Sequence, residues 1–163
     1  MIRNTAVTVC GPLNVNKLGV TYVHEHLMVK PQLPDEYYIP YTLDDEAAST
    51  EETRSFSAAG GETLVEMTPI NYGRNVKAYQ RIAQATGVHV ICCTGFHKQL
   101  FMPPWFGDKT DGELYDILMN EVTNGLDDTE IHPGVIKLGT SFEEVTDAEK
   151  RSIEAVARVH RDT

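Results

Sequence analysis

Two histidines one residue apart, His24 and His26, close an apolar run that begins at Val20. In an extended strand residues two apart project to one face, so both imidazoles can meet one divalent cation while Glu25 points the other way. The same spacing also fits a polar patch at a strand end. The second reactive candidate is Lys137, inside Gly134-Val135-Ile136-Lys137-Leu138-Gly139, a run that otherwise reads as a buried strand. An ammonium there must be paired, deprotonated or modified. Three readings of it stay open: a neutral amine that adds carbon dioxide to give an anionic carbamate able to bridge two cations, a Schiff-base lysine, and a stem that carries its charge out to solvent.

The elements that must hold these side chains alternate between short β-branched runs and longer amphipathic stretches, the pattern of an α/β fold with a parallel sheet. Strands are predicted at residues 20–24, 63–67, 88–93 and 135–138. Helices are predicted at about residues 43–59, 76–85, 111–124 and 147–161 from their apolar spacing. Two helix starts carry a capping-box pattern, Thr110-x-x-Glu113 and Thr146-x-x-Glu149. Gly60-Gly61, Gly87 and Pro133-Gly134 mark helix ends or turns ahead of three strands. Residues 6–10, with a break at Gly11-Pro12, read as part of a small hairpin or an edge strand. Two long loops, residues 29–42 and 94–109, are rich in proline and aromatics. Loops at the C-terminal ends of parallel strands line ligand sites in such folds, so these are candidate substrate walls, with packed surface loops as the alternative.

The chain of 163 residues suffices for a single domain, 1–163, with its own core, and 41% hydrophobic residues is ordinary globular composition. Twenty-four acidic residues against 14 basic give a net charge of -10, which repels nucleic acid and anionic membranes. No stretch is long and apolar enough for a membrane helix, and no export signal is legible. Cys10, Cys92 and Cys93 are an odd number without Cys-x-x-Cys spacing and read as buried thiols, which suits a reducing cytoplasm.

Gly11-Pro12-Leu13, followed by Leu18-Gly19-Val20-Thr21-Tyr22-Val23-His24-Glu25-His26-Leu27, resembles the opening signature of the phosphotriesterase family within the amidohydrolase superfamily. Gly73-Arg74-Asn75, Thr94-Gly95-Phe96 and Ile136-Lys137-Leu138-Gly139 follow in the same order. The resemblance implies the N-terminal half of a (β/α)8 TIM barrel preceded by a short hairpin. It also implies two divalent metal ions, usually zinc, at the C-terminal ends of the strands. By that resemblance His24 and His26 bind the more buried metal, and Lys137, as the carbamate formed from carbon dioxide, bridges both. A hydroxide held between the metals would attack the substrate. The family's two further histidines, from the fifth and sixth strands, and its aspartate from the eighth have no counterpart here. His89, His132 and His160 fall at the wrong places to substitute.

The expected partner is a small-molecule ester or lactone. In the loop after the third strand, His97 or Lys98 could bind an anionic group, with Trp105 nearby, which makes a phosphorylated sugar lactone attractive. A solvated loop lysine is the alternative. Three functions stay open: a lactonase, a phosphotriesterase acting on organophosphate esters, and a catalytically inactive truncated half-barrel. Four β/α units leave two open sheet edges, which points to a fragment of a longer enzyme, to a partner chain completing the barrel, or to a homo-oligomer.

Overall fold

The computed structural model describes residues 4–32 and 41–163. It opens on a hairpin of β1 (Thr5–Thr8) and β2 (Gly11–Asn14), with Thr8 opposite Gly11. Gly11-Pro12 therefore begins the second strand instead of breaking the first, and the turn falls at Val9-Cys10. Four parallel strands follow in chain order, β3 (Thr21–Glu25), β4 (Thr63–Glu66), β5 (His89–Gly95) and β6 (Val135–Lys137). They form the curled sheet of a half-barrel, as the sequence predicts.

Among the described residues four α-helices cover the outer face: α1 (Glu46–Ala58), α2 (Val76–Thr86), α3 (Asp111–Asn124) and α4 (Asp147–Asp162). α1 starts three residues later than predicted, because the Asp45 side chain accepts from the N–H groups of Ala47 and Ala48 and caps it there. Leu43 instead exchanges two backbone hydrogen bonds with Val29, at 2.8 and 2.9 Å. Both predicted capping boxes are formed, at Thr110/Glu113 and Thr146/Glu149. α2 ends on Gly87 with φ of 75°, a left-handed conformation glycine adopts without a Cβ penalty.

α2, α3 and α4 each pack by one apolar stripe. Val76, Ala78, Tyr79, Ile82 and Ala83 of α2 are buried against Leu64, Val90 and Cys92, so those three strand residues face the helices. Leu114 and Leu118 of α3 meet Ala155, Val156 and Val159 of α4 in a second cluster with Phe96 and Phe106. Ile136 packs against this cluster, which turns its neighbour Lys137 to the opposite, concave face. Cys92 and Cys93 are buried as predicted, but Cys10 is exposed, because it sits in the hairpin turn. Among the described residues no helix is long and apolar enough to cross a membrane.

Candidate functional site

β3 does not alternate regularly. Tyr22 pairs with Leu64 and Glu25 with Glu66, so three residues of β3 span two of β4. The extra residue is a β-bulge, and a bulge re-aims the side chains beyond it. Tyr22 lies on the helix side, its ring 4.8 Å from that of Phe56. Strict alternation would put His24 on that side as well. After the bulge His24 instead reaches the concave face, where its Nε2 lies 3.5 Å from Lys137 Nζ.

Lys137 is 7% exposed. Burial lowers its pKa, favouring the uncharged amine, and burial together with the Lys137 charge lowers that of His24. The rings of His24 and His26 are 5.3 Å apart in an edge-on arrangement. His26 Nδ1 lies 2.8 Å from Thr68 Oγ1, and the Thr68 hydroxyl in turn donates to Glu66 Oε1 at 2.7 Å. Three nitrogen-bearing side chains thus converge from strands at opposite edges of the sheet. Imidazoles are nitrogen donors of the kind that bind divalent cations, and here two of them lie beside a buried amine. The set is incomplete: among the described residues no group of three or more His, Cys, Asp and Glu is placed to hold a metal ion.

A chain of rings continues from His26 along the loop side. Tyr72 lies 6.0 Å from His26 and 4.7 Å from His97, and His97 lies 4.6 Å from Phe101. Desolvation, with the charges of Lys137 and Lys98, pushes the His97 pKa down to about 4. Its Nδ1 accepts the Lys98 N–H at 2.7 Å, so the neutral ring carries its proton on Nε2. Lys98 Nζ sits 5.6 Å from the centre of the Phe101 ring. Trp105 lies apart from this group: it packs edge-on against Phe96, 6.2 Å away, beside the cluster under α3 and α4.

Glu66 and Thr68 were not singled out from the sequence. The signal that marks Lys137, a charged residue inside an apolar strand, is also present in Thr63-Leu64-Val65-Glu66-Met67 and points to Glu66 in the same way. Of the two loops predicted as substrate walls, residues 94–109 supply His97, Lys98 and Phe101. Residues 33–40 of the other lie outside the described residues.

The sequence matches the profile of the phosphotriesterase family over residues 4–163. It is 31% identical over 174 residues to a phospho-furanose lactonase of Mycoplasmopsis synoviae, covering 97% of this chain and 49% of that one. Among solved structures it is similar to the lactonase Lmo2620 of Listeria monocytogenes, with a TM-score of 0.88 and 30% identity over 98% of this chain and 54% of the other. It is also similar to the organophosphorus hydrolase of Deinococcus radiodurans, with a TM-score of 0.84 and 34% identity over 98% of this chain and 51% of that one. The chain spans about half the length of the curated relatives it matches.

Proposed function

Because the chain belongs to the phosphotriesterase family, we propose that the protein it forms is a zinc-dependent hydrolase of lactones or related carboxylic esters, with a phosphorylated sugar lactone as preferred substrate. The observation that carries this reading is the meeting of Lys137 and His24 on the concave face, at the C-terminal ends of their strands. His24 and His26 would hold one cation, and Lys137, as the carbamate, would reach both that cation and a second. Bound there, two divalent cations supply Lewis acidity and acidify water near neutral pH.

The chain's own residues prepare the rest. Burial holds the Lys137 amine closer to the uncharged state that takes up carbon dioxide. Tyr72, His97 and Phe101 form an aromatic wall that runs on from His26. Lys98 offers a point charge to a phosphate group on the substrate. The likeness to a phospho-furanose lactonase supports that substrate class. Relatives about twice as long supply the reason to assign the remaining donors to further barrel strands, on the same polypeptide or on a partner chain.

A second reading, a phosphotriesterase acting on neutral organophosphates, draws support from the aromatic wall and from the likeness to the Deinococcus enzyme. Metal content of zinc-reconstituted protein with bicarbonate, with hydrolysis of a phosphorylated lactone and of a neutral phosphotriester measured side by side, tests both. About two ions per chain and faster lactone turnover are expected. Preference for the triester would replace the first reading with the second. Substoichiometric metal and no turnover would make residues 1–163 an inactive half-barrel by themselves.

A further inference from the structure

We propose that Glu66, acting through Thr68, is a positioning residue that fixes His26 as the tautomer protonated on Nδ1 and so leaves the Nε2 lone pair bare for a ligand; the proposal rests on the reading of His26 as a cation ligand. The proton count along the three side chains carries it. Glu66 Oε1 accepts two hydrogen bonds from Thr68, from the backbone N–H at 3.0 Å and from the hydroxyl at 2.7 Å. A threonine hydroxyl has one proton, and here it is spent on Glu66. The same Oγ1 lies 2.8 Å from His26 Nδ1, and with its proton committed it can only accept there. Nδ1 must therefore carry the hydrogen, and the neutral ring has its lone pair on Nε2.

A carboxylate only accepts, so both Thr68 donors converge on Oε1. The carboxylate is also an expensive way to fill the position. Glu66 is fully buried, and Oε2 accepts no hydrogen bond among the described residues. An apolar side chain of similar volume would avoid that desolvation cost. A buried acceptor that sets the proton of a neighbouring imidazole gives the expense a purpose, since a ligating histidine needs its second nitrogen anchored to present the first in one orientation.

The predicted behaviour separates variants of similar size. Glu66→Gln keeps a carbonyl oxygen to accept from Thr68 and should keep the tautomer. Glu66→Met removes the acceptor, freeing the Thr68 hydroxyl to donate to Nδ1 and driving the proton to Nε2. Thr68→Ser should preserve the arrangement, and Thr68→Val should lose it. The readout is the pair of imidazole 15N resonances of His26 in intact, metal-free protein, followed by titration with Co2+. A protonated-type Nδ1 and an unprotonated-type Nε2 are expected in the native protein and in the Gln and Ser variants. Co2+ binding should weaken by about 10- to 100-fold in Thr68→Val. An Nε2-protonated ring in the native protein, or one unaltered by Glu66→Met and Thr68→Val together, would overturn the proposal. If the Nδ1 tautomer is present but Co2+ leaves the His26 resonances unmoved, the tautomer assignment stands and the cation-ligand reading falls.

Discussion

Lys137 Nζ and His24 Nε2 lie 3.5 Å apart although β4 and β5 separate the strands that carry them. Neighbouring strands sit roughly 4.8 Å apart, so in a flat sheet such edge positions would be about three spacings distant. Curling brings them together across the concave face. The contact therefore reports both the curvature and the site, and Lys137→Ala should affect the site alone. Its expected outcome is loss of binding of the second divalent cation and at least a 100-fold drop in hydrolysis, about 3 kcal/mol. Added short carboxylic acids should partly restore both by standing in for the carbamate. Metal analysis and turnover with and without acetate check this, and full activity of Lys137→Ala without additive would remove the bridging role.

Gly95 is opposite Lys137 in the β5–β6 register and has φ of 115°. A Cβ at this position would run into the Lys137 carbonyl oxygen. Gly95→Ala must therefore either push β6 away or distort a backbone region that L side chains rarely adopt. A loss of about 2–3 kcal/mol in urea unfolding is expected, with weaker metal binding because Lys137 moves with its strand. Native stability in Gly95→Ala would show that β6 has slack at this point.

The sequence makes the four strands legible because each β-branched run is bounded by turn residues, and it brings His24 and His26 together because they are two apart. It does not reveal which face they take. Counting by twos from Tyr22, which packs on Phe56, puts His24 under the helices, and only the bulge before Glu25 corrects this. Bulges arise from the pairing of two strands, so neither strand alone encodes them visibly. The motif residues Arg74, Asn75, Thr94 and Phe96 have scaffold roles in this fold. Arg74 binds Glu121 and Asp127, Asn75 caps α2, Thr94 donates to Glu121, and Phe96 is fully buried. A motif marks positions without saying which of them touch substrate.

Recognition of a substrate phosphate should depend on Lys98 and not on His97. At neutral pH His97 is uncharged, since desolvation holds its pKa at about 4, and its Nδ1 is occupied by the Lys98 N–H. Lys98→Met should raise the KM for a phosphorylated lactone about tenfold, roughly 1.4 kcal/mol, while sparing an unphosphorylated one. His97→Gln should leave the phosphate preference unchanged between pH 6 and 8. Equal effects of Lys98→Met on both lactones would place the phosphate elsewhere.

Acid should destabilise the fold in two stages. His97 has its pKa lowered from 6.5 to about 4, so the unfolded chain takes up this proton first, and stability falls as pH drops from above 6.5 towards 4. Glu149 follows. Burial would raise its pKa, but hydrogen bonds from the Gln99 N–H, the Ser141 hydroxyl and the Thr146 N–H outweigh that and hold it at about 2, below its ordinary 4.5. Its contribution is complete above pH 4.5 and is lost as pH falls towards 2. Urea unfolding across this range should show both stages, and His97→Gln should shrink the upper one, leaving the part that His24, whose pKa is also lowered, contributes. Glu149→Ala, which abandons the three donors and the capping box of α4, should cost about 2 kcal/mol at neutral pH.

The strongest single stability effect outside the sheet should come from Arg74. Its side chain is only 5% exposed and joins Glu121 of α3 to Asp127 in the following loop, at 2.7 and 2.6 Å. Opposed to the cost of burial, these two carboxylates raise its pKa, so it is charged at every accessible pH. Arg74→Met fills the space but leaves Glu121, itself mostly buried and bonded to Thr94, without its counter-charge. Removing one partner of a buried pair typically costs about 3–5 kcal/mol, more than the intact pair contributes relative to apolar packing. Arg74→Lys should recover only part of this, because an ammonium cannot match a fork that engages two carboxylates at once. The double variant Arg74→Met with Glu121→Leu should be more stable than Arg74→Met alone, since it removes the stranded charge; chemical denaturation of the native protein, Arg74→Met, Glu121→Leu and the double variant closes the cycle, and simple additivity would mean that Arg74 and Glu121 do not act as a pair.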